Sequence, residues 1–194
     1  MTFKRRTDID VFEEGVFESI FVEVNGTGGS FIVGVIYRPP DSNMARFQSS
    51  LETVLNKVKD KRSYLMGDFN LDLIKSDHHS ATGKFLSDMN SMGFHPLISI
   101  PTRITPTSAT LIDNIFTNDF CRPISSGLVF TSISDHLPAF AIFGEAGFSL
   151  ETGSRFALKR QMGASNKEIF RIWVKEWGKT FAPGVDSIVE ELIQ

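Results

Sequence analysis

The stretch "SYLMGDFN", residues 63–70, carries the first decision about the fold. Its opening residues form a short apolar run, the pattern of a buried strand. The run stops at Asp68, and Asn70 follows two residues later. An acid and an amide therefore sit at the mouth of a strand, and in open α/β sheets functional sites gather at strand ends. Similar apolar runs interrupted by polar residues recur in "GVIYRPP" (34–40), "ATLIDNIFT" (109–117) and "SISDHLPAF" (132–140).

Working outward, "FESIFVEV" (17–24) alternates and reads as a strand, and "NGTGGS" (25–30) reads as a turn. "FIVGVI" (31–36) is continuously apolar, so the pair predicts a hairpin whose second strand is central. That strand ends at Tyr37, because Pro39 and Pro40 cannot continue a ladder. Met44, Phe47, Leu51, Val54, Leu55 and Val58 recur at helical spacing, with Asp41 or Ser42 placed to cap. A second helix is predicted over about 80–92, with Gly93 as its terminator. Further strands are predicted over 109–117, 126–132 and 138–143. Strands alternate with helices early and cluster late, which predicts a sheet-based α/β domain over residues 1–144 with helices outside. Residues 145–165 read as a linker. Ile169, Trp173, Trp177 and Phe181 then recur every fourth residue, which predicts a helical segment within 166–194 whose stripe serves packing.

Hydrophobic residues make up 41% of the 194 and charged residues 22%, values of a soluble globular chain. The single cysteine, Cys121, excludes an intrachain disulfide framework and a thiolate zinc cluster. No apolar run reaches membrane-spanning length, and "MTFKRRTDID" has no signal-peptide core. The expectation is an intracellular protein, nuclear or cytoplasmic, with no membrane partner. A net charge of −3 sets the chain apart from basic nucleic-acid binders. It does not exclude a metal-dependent phosphodiesterase, whose own site is rich in carboxylates. The basic runs at 4–6 and 57–62 read as solvated surface.

Each polar cluster has a plain structural reading. Tyr37 and Arg38 suit a solvated strand exit, Asp68 and Asn70 a capped turn, Asp113 a satisfied buried acid, and His136 a core histidine. Together they supply what hydrolysis of a phosphate ester needs. Asp135 and Asp68 are oxygen donors for Mg²⁺ (or Mn²⁺). Asn70 can orient a water, and His136 can hydrogen-bond or protonate a phosphate oxygen. Asp113 can fix the His136 tautomer.

In this order, "GVIYRPP", "YLMGDFNLDLI", "PTRITPTSATLIDNIFTN" and "SDHLPAF" resemble the later motifs of the endonuclease/exonuclease/phosphatase superfamily. The wording is most similar to the apurinic-like endonuclease domains of non-LTR (LINE-type, jockey-like) retrotransposons, over about residues 16–143. The resemblance implies a four-layer α/β sandwich, two mixed sheets face to face with helices outside. It implies that Tyr37 contacts the scissile phosphate, that Asp68 activates or positions the attacking water, and that Asn70 steadies the transition state. Asp135 joins the metal site, and His136, paired with Asp113, binds the phosphate. Arg38, Thr102 and Arg103 are expected to face substrate. The implied partners are a target-site DNA duplex and the reverse transcriptase domain of the same polyprotein.

The family pattern also contains an earlier strand ending in Asn and a following Glu that holds metal. Neither is found here. Glu18 and Glu23 lie on a strand that matches a later part of the pattern. The expectation is an incomplete sandwich, without its first β-α-β portion, and weak or no cleavage by this chain alone. Two alternatives stay open: a phosphatase of lipid or inositol phosphates, and a catalytically dead interaction module. The wording around "PTRIT" and "LIDNIFTN" favours DNA.

Overall fold

Pleat alternation in the "FESIFVEV" strand sends Phe21 to one face and Ile20 and Val22 to the other. That division organises the whole sheet. The computed structural model describes residues 2–26, 28–122 and 124–144. The linker and the aromatic stripe expected beyond Gly144 lie outside the described residues. Chain order is β1 (Thr2–Arg5), β2 (Phe12–Glu13), β3 (Phe17–Gly26), β4 (Gly29–Tyr37), α1 (Met44–Val58), β5 (Ser63–Asp68), a 3-10 turn (Leu73–Lys75) and α2 (Ser80–Ser91). Six short strands follow: β6 (His95–Pro96), β7 (Arg103–Ile104), β8 (Ala109–Thr110), β9 (Asp113–Thr117), β10 (Ile124–Leu128) and β11 (Ala139–Phe143).

The main sheet has seven strands in the order β1-β3-β4-β5-β9-β6, with β2 also paired to β3. β4 and β5 are parallel and are joined through α1. β5 and β9 are antiparallel. Both helices cover one face. Phe47, Leu51, Val54, Leu55 and Val58 of α1 and Phe85 and Met89 of α2 pack on Phe21, Ile32, Ile36, Leu65 and Phe116. Phenylalanine rings carry this core: Phe47–Phe85, Phe69–Phe85 and Phe85–Phe116 centroids lie 6.1, 5.3 and 5.7 Å apart. Each fully buried Phe contributes about 1.5–3 kcal/mol, which gives a use for a sequence with 18 Phe against 2 Tyr and 2 Trp.

A two-stranded sheet, β10–β11, lies against the opposite face, where the Phe143 ring sits 4.0 Å from Tyr64. It covers only part of that face. Ile20 and Val35, direct cross-strand partners, remain 50% and 51% exposed. The molecule is thus a mixed α/β fold with several packed sheets and few helices, as expected. The described residues form a helix layer, the seven-stranded main sheet and two two-stranded sheets, β10–β11 and β7–β8. No helix among them is long and apolar enough to cross a membrane.

Several local expectations need correction. The α1 N-cap is Asn43, whose side chain accepts from the Arg46 N–H at 3.1 Å, and not Asp41 or Ser42. The predicted 109–117 strand is two strands in different sheets. The Leu111 and Ile112 N–H groups between them donate to Asp72 Oδ1 and Thr102 Oγ1, so side chains replace a ladder partner there. The strand predicted over 126–132 is observed at Ile124–Leu128. β1 was missed because all four of its residues are exposed and its sequence, "TFKR", has no buried face. It is a charged edge strand, a device that discourages further pairing. The Gly93 terminator holds, at φ +80°.

Two glycines set how closely the strands approach. A Cβ at Gly34 would lie 2.3 Å from Phe21 Cε1. At Gly67, φ is +154° and a Cβ would lie 1.7 Å from the Ile36 carbonyl oxygen. Gly34→Ala is expected to cost about 1–3 kcal/mol by overpacking. Gly67→Ala costs more, because the obstacle is backbone rather than a ring. Urea denaturation of both variants checks the order.

Candidate active site

The strand register builds the site. Tyr37 pairs with Asp68 across β4–β5, and Asp68 pairs with Asp113 across β5–β9. These three residues form one row at the end of the sheet, on the face away from the helices. His136 comes from the loop before β11. An isolated bridge between Arg103 and His136 anchors that loop. So do hydrogen bonds from the Leu137 N–H to the Thr102 carbonyl (2.7 Å) and from the Ile104 N–H to the Asp135 carbonyl (2.8 Å).

Ligand atoms of Asp68, Asp113 and His136 lie within 4.8 Å of one another. His136 Nδ1 is 3.0 and 3.2 Å from the two Asp113 carboxylate oxygens. An ionised carboxylate only accepts, so Nδ1–H donates and Nε2 is left for other work. These residues line an open cavity of about 370 Å³, with Met66, Ile115 and Leu137 as apolar walls. Burial holds the Asp68 carboxyl above the ordinary carboxylate range; its hydrogen bond from Asn70 opposes this, and repulsion from Asp113 adds to it. Two carboxylates beside an imidazole are a donor set that fits a hard divalent cation such as Mg²⁺ or Mn²⁺.

Asn70 joins the site through its backbone. Its N–H donates to Asp68 Oδ1 at 2.9 Å, its Nδ2 donates to the Arg38 carbonyl at 2.8 Å, and its φ is +47°. Tyr37, 39% exposed, borders the row. Asp135 is not in the trio. It pairs with Arg103 at 2.8 Å, and both side chains are nearly half exposed. Arg103 holds the Asp135 carboxyl below the usual range. Arg38 and Thr102 are 5% and 0% exposed, so neither lies on the open surface where substrate contact was expected. Thr102 instead acts as a brace. Its Oγ1 accepts from the Ile112 and Asp113 N–H groups at 3.2 and 3.0 Å, while its carbonyl accepts from Leu137. One residue thereby ties both ends of the Asp113–His136 pair. Ser134, whose Oγ accepts from the His136 N–H at 3.1 Å, is a further support. Sequence reading missed these roles because loop hydrogen bonds leave no periodic signal.

The family profile described as endonuclease-reverse transcriptase matches residues 31–140, more than half of the chain. The chain belongs to that family. Its structure is similar to the endonuclease domain of TRAS1, a telomere-specific non-LTR retrotransposon, with a TM-score of 0.58 and 18% identity. That match covers 73% of this chain and 66% of the TRAS1 domain. An endonuclease/exonuclease/phosphatase family protein from Bacteroides thetaiotaomicron matches with TM-score 0.48 and 17% identity, over 66% of this chain and 55% of its own. The Xenopus laevis APE2 catalytic domain gives 0.46 and 17%, over 66% and 54%. The chain therefore spans less than two thirds of the length of these structures. No curated protein matches it. The resemblance read from the motifs stands, and the fold is shared with the TRAS1 endonuclease domain.

Asp68 provides a signed pH test. Its proton is held more tightly folded than unfolded. Its ionisation therefore costs stability as pH rises through the elevated folded value, and the cost is absent below the unfolded value of about 3.9. Asp68→Asn keeps an oxygen for the Asn70 amide. It is expected to raise the thermal midpoint at pH 7 in EDTA and to lose that advantage below about pH 4. Calorimetry at the two pH values checks this.

Proposed function

We propose that this chain is part of a divalent-cation-dependent phosphodiesterase that nicks DNA, the endonuclease portion of a non-LTR retrotransposon polyprotein. The observation that carries the reading is the convergence of Asp68, Asp113 and His136 at the end of paired strands, with Tyr37 in the same row. Asp113 takes the Nδ1–H of His136 and so turns Nε2 toward the phosphate; in its imidazolium form the ring donates from Nε2 to a phosphate oxygen. Asp68, poorly solvated and ready to accept a proton, positions the attacking water. Asn70 and Tyr37 orient the water and the phosphate from either side. Asp68, with Asp135 once freed from Arg103, holds Mg²⁺ or Mn²⁺. When bound, the cation neutralises charge that builds on the phosphate in the transition state.

A duplex target supports an intracellular setting, nuclear or cytoplasmic, and the reverse transcriptase domain of the same polyprotein is the expected partner. Arg103 remains the candidate phosphate contact, because its half-exposed guanidinium stands beside the site. With −3 net charge the chain has little bulk attraction for DNA, so its contacts are local.

Nicking of supercoiled plasmid by the purified chain is the test. Slow nicking is expected with Mg²⁺ or Mn²⁺, none in EDTA, and none with His136→Ala, a loss of at least about 10²-fold for a lost general acid. Cation-dependent release of phosphate from inositol phosphates, with plasmid left intact, would transfer the site to the phosphatase alternative. Activity on neither substrate would leave the interaction-module alternative.

A further inference from the structure

Arg38 is a charged side chain only 5% exposed, and burying a cation is costly unless something specific compensates it. Among the described residues all of its side-chain hydrogen bonds go to backbone carbonyls rather than to a carboxylate. Nη1 donates to the carbonyls of Asn70 (3.1 Å) and Phe69 (3.4 Å), and Nη2 donates to that of Ser42 (3.2 Å). The guanidinium lies over the Phe47 ring of α1, 5.5 Å from its centroid. Its Nε has no hydrogen-bond partner among the described residues. The Arg38 backbone joins the same knot. Its N–H donates to the Asp68 carbonyl at 2.9 Å, and its carbonyl accepts from Asn70 Nδ2 at 2.8 Å.

A cation in this place serves the turn it grips. Asn70 sits at φ +47°, a left-handed conformation uncommon for a non-glycine residue and best tolerated by asparagine, and here the Arg38 contacts fix the backbone on both sides of it. That conformation turns the Asn70 N–H onto Asp68 Oδ1. Asp68 faces Asp113 across the sheet, so without restraint its carboxylate would swing away from a like charge. A lysine offers a point charge, but it has no planar fork to hold carbonyls on two segments at once.

We propose that Arg38 is a positioning residue: its guanidinium fork locks the Asp68–Phe69–Asn70 turn and thereby holds the Asp68 carboxylate within reach of His136. It touches neither substrate nor cation. The proposal takes the use of Asp68 and Asn70 from the phosphodiesterase reading, while the geometry it invokes stands without it.

Two measurements on the full chain keep the two readings apart. The first is amide hydrogen exchange without metal, read as the ratio of the Asn70 rate to that of Leu65 in the central strand. R38M and R38K are compared with M89A, a core variant on α2 that makes no side-chain hydrogen bond to the turn. R38M is expected to speed Asn70 exchange at least about tenfold relative to Leu65, the usual consequence of losing charged hydrogen bonds. R38K does nearly the same, because it keeps the charge but not the fork, and M89A moves both amides together. An unchanged Asn70/Leu65 ratio in R38M overturns the proposal, and if R38M does not fold, the R38K ratio decides. The second is Mn²⁺ titration followed by paramagnetic broadening at His136. About tenfold weaker uptake is expected in R38M and R38K, and none of that weakening in M89A. A wild-type chain that takes up no Mn²⁺ would count against the phosphodiesterase reading, with the exchange ratio still ruling on Arg38.

Discussion

Two carboxylates face each other across neighbouring strands, and the rest of the site is an answer to that fact. Asp68 and Asp113 are direct register partners on β5 and β9. Like charges placed opposite one another destabilise a sheet. Asp113 is relieved by His136, whose ring nitrogen lies 3.0 Å away. Among the described residues Asp68 accepts a side-chain hydrogen bond from the Asn70 amide alone, and burial makes its ionisation harder, with His136 and Arg103 offsetting this only in part. Uncompensated negative charge is thus concentrated at one point, where the sheet opens to a cavity. Natural folds keep such an imbalance mainly at sites that bind something positive or move a proton.

The register depends in turn on the packing of the other face. The α1 crossover makes β4 and β5 parallel, and the Phe-rich core fixes that helix on the sheet. Gly67 then lets the backbone pass the Ile36 carbonyl one residue before Asp68. Segments remote in sequence are drawn to the same place by loop hydrogen bonds: Arg38 from the β4 exit, Thr102 from the loop before β7, and Ser134 beside His136. Stability and site geometry share these contacts, so a core defect is expected to reach the site through register rather than through direct contact.

The parts of this design that follow a period were legible in the sequence. Both helices, the β3–β4 hairpin, the β5 strand and the exits of β4 and β5 into polar residues were read from spacing alone, and the ordered motifs gave the family; Asp113 instead opens β9, and His136 lies in the loop that enters β11. The parts built from single hydrogen bonds were not. Asn43 replaced Asp41 or Ser42 as cap because capping depends on where one side-chain oxygen lands. The break at Leu111–Ile112 was invisible because Asp72 and Thr102, far away in sequence, satisfy those amides. Arg38 and Thr102 looked like surface loop residues, since polarity normally means exposure. Both are buried because each has several backbone partners to satisfy. Asp135 was expected beside the metal. The Arg103 guanidinium has taken its charge instead, a competition between two exposed groups that sequence does not rank.

Family membership and fold agree with the site, and one observation bears on all of it. The account requires that Asp68, Asp113 and His136 converge on one space, with the cation held at Asp68 and the Asp113–His136 pair beside it. Crystals grown with Mn²⁺ and measured at the manganese absorption edge test this directly. The account predicts one dominant anomalous peak, within coordination distance of the Asp68 carboxylate and adjacent to the Asp113–His136 pair. A map whose strongest peaks lie elsewhere, with the Asp68 and His136 side chains directed away from each other, would contradict it.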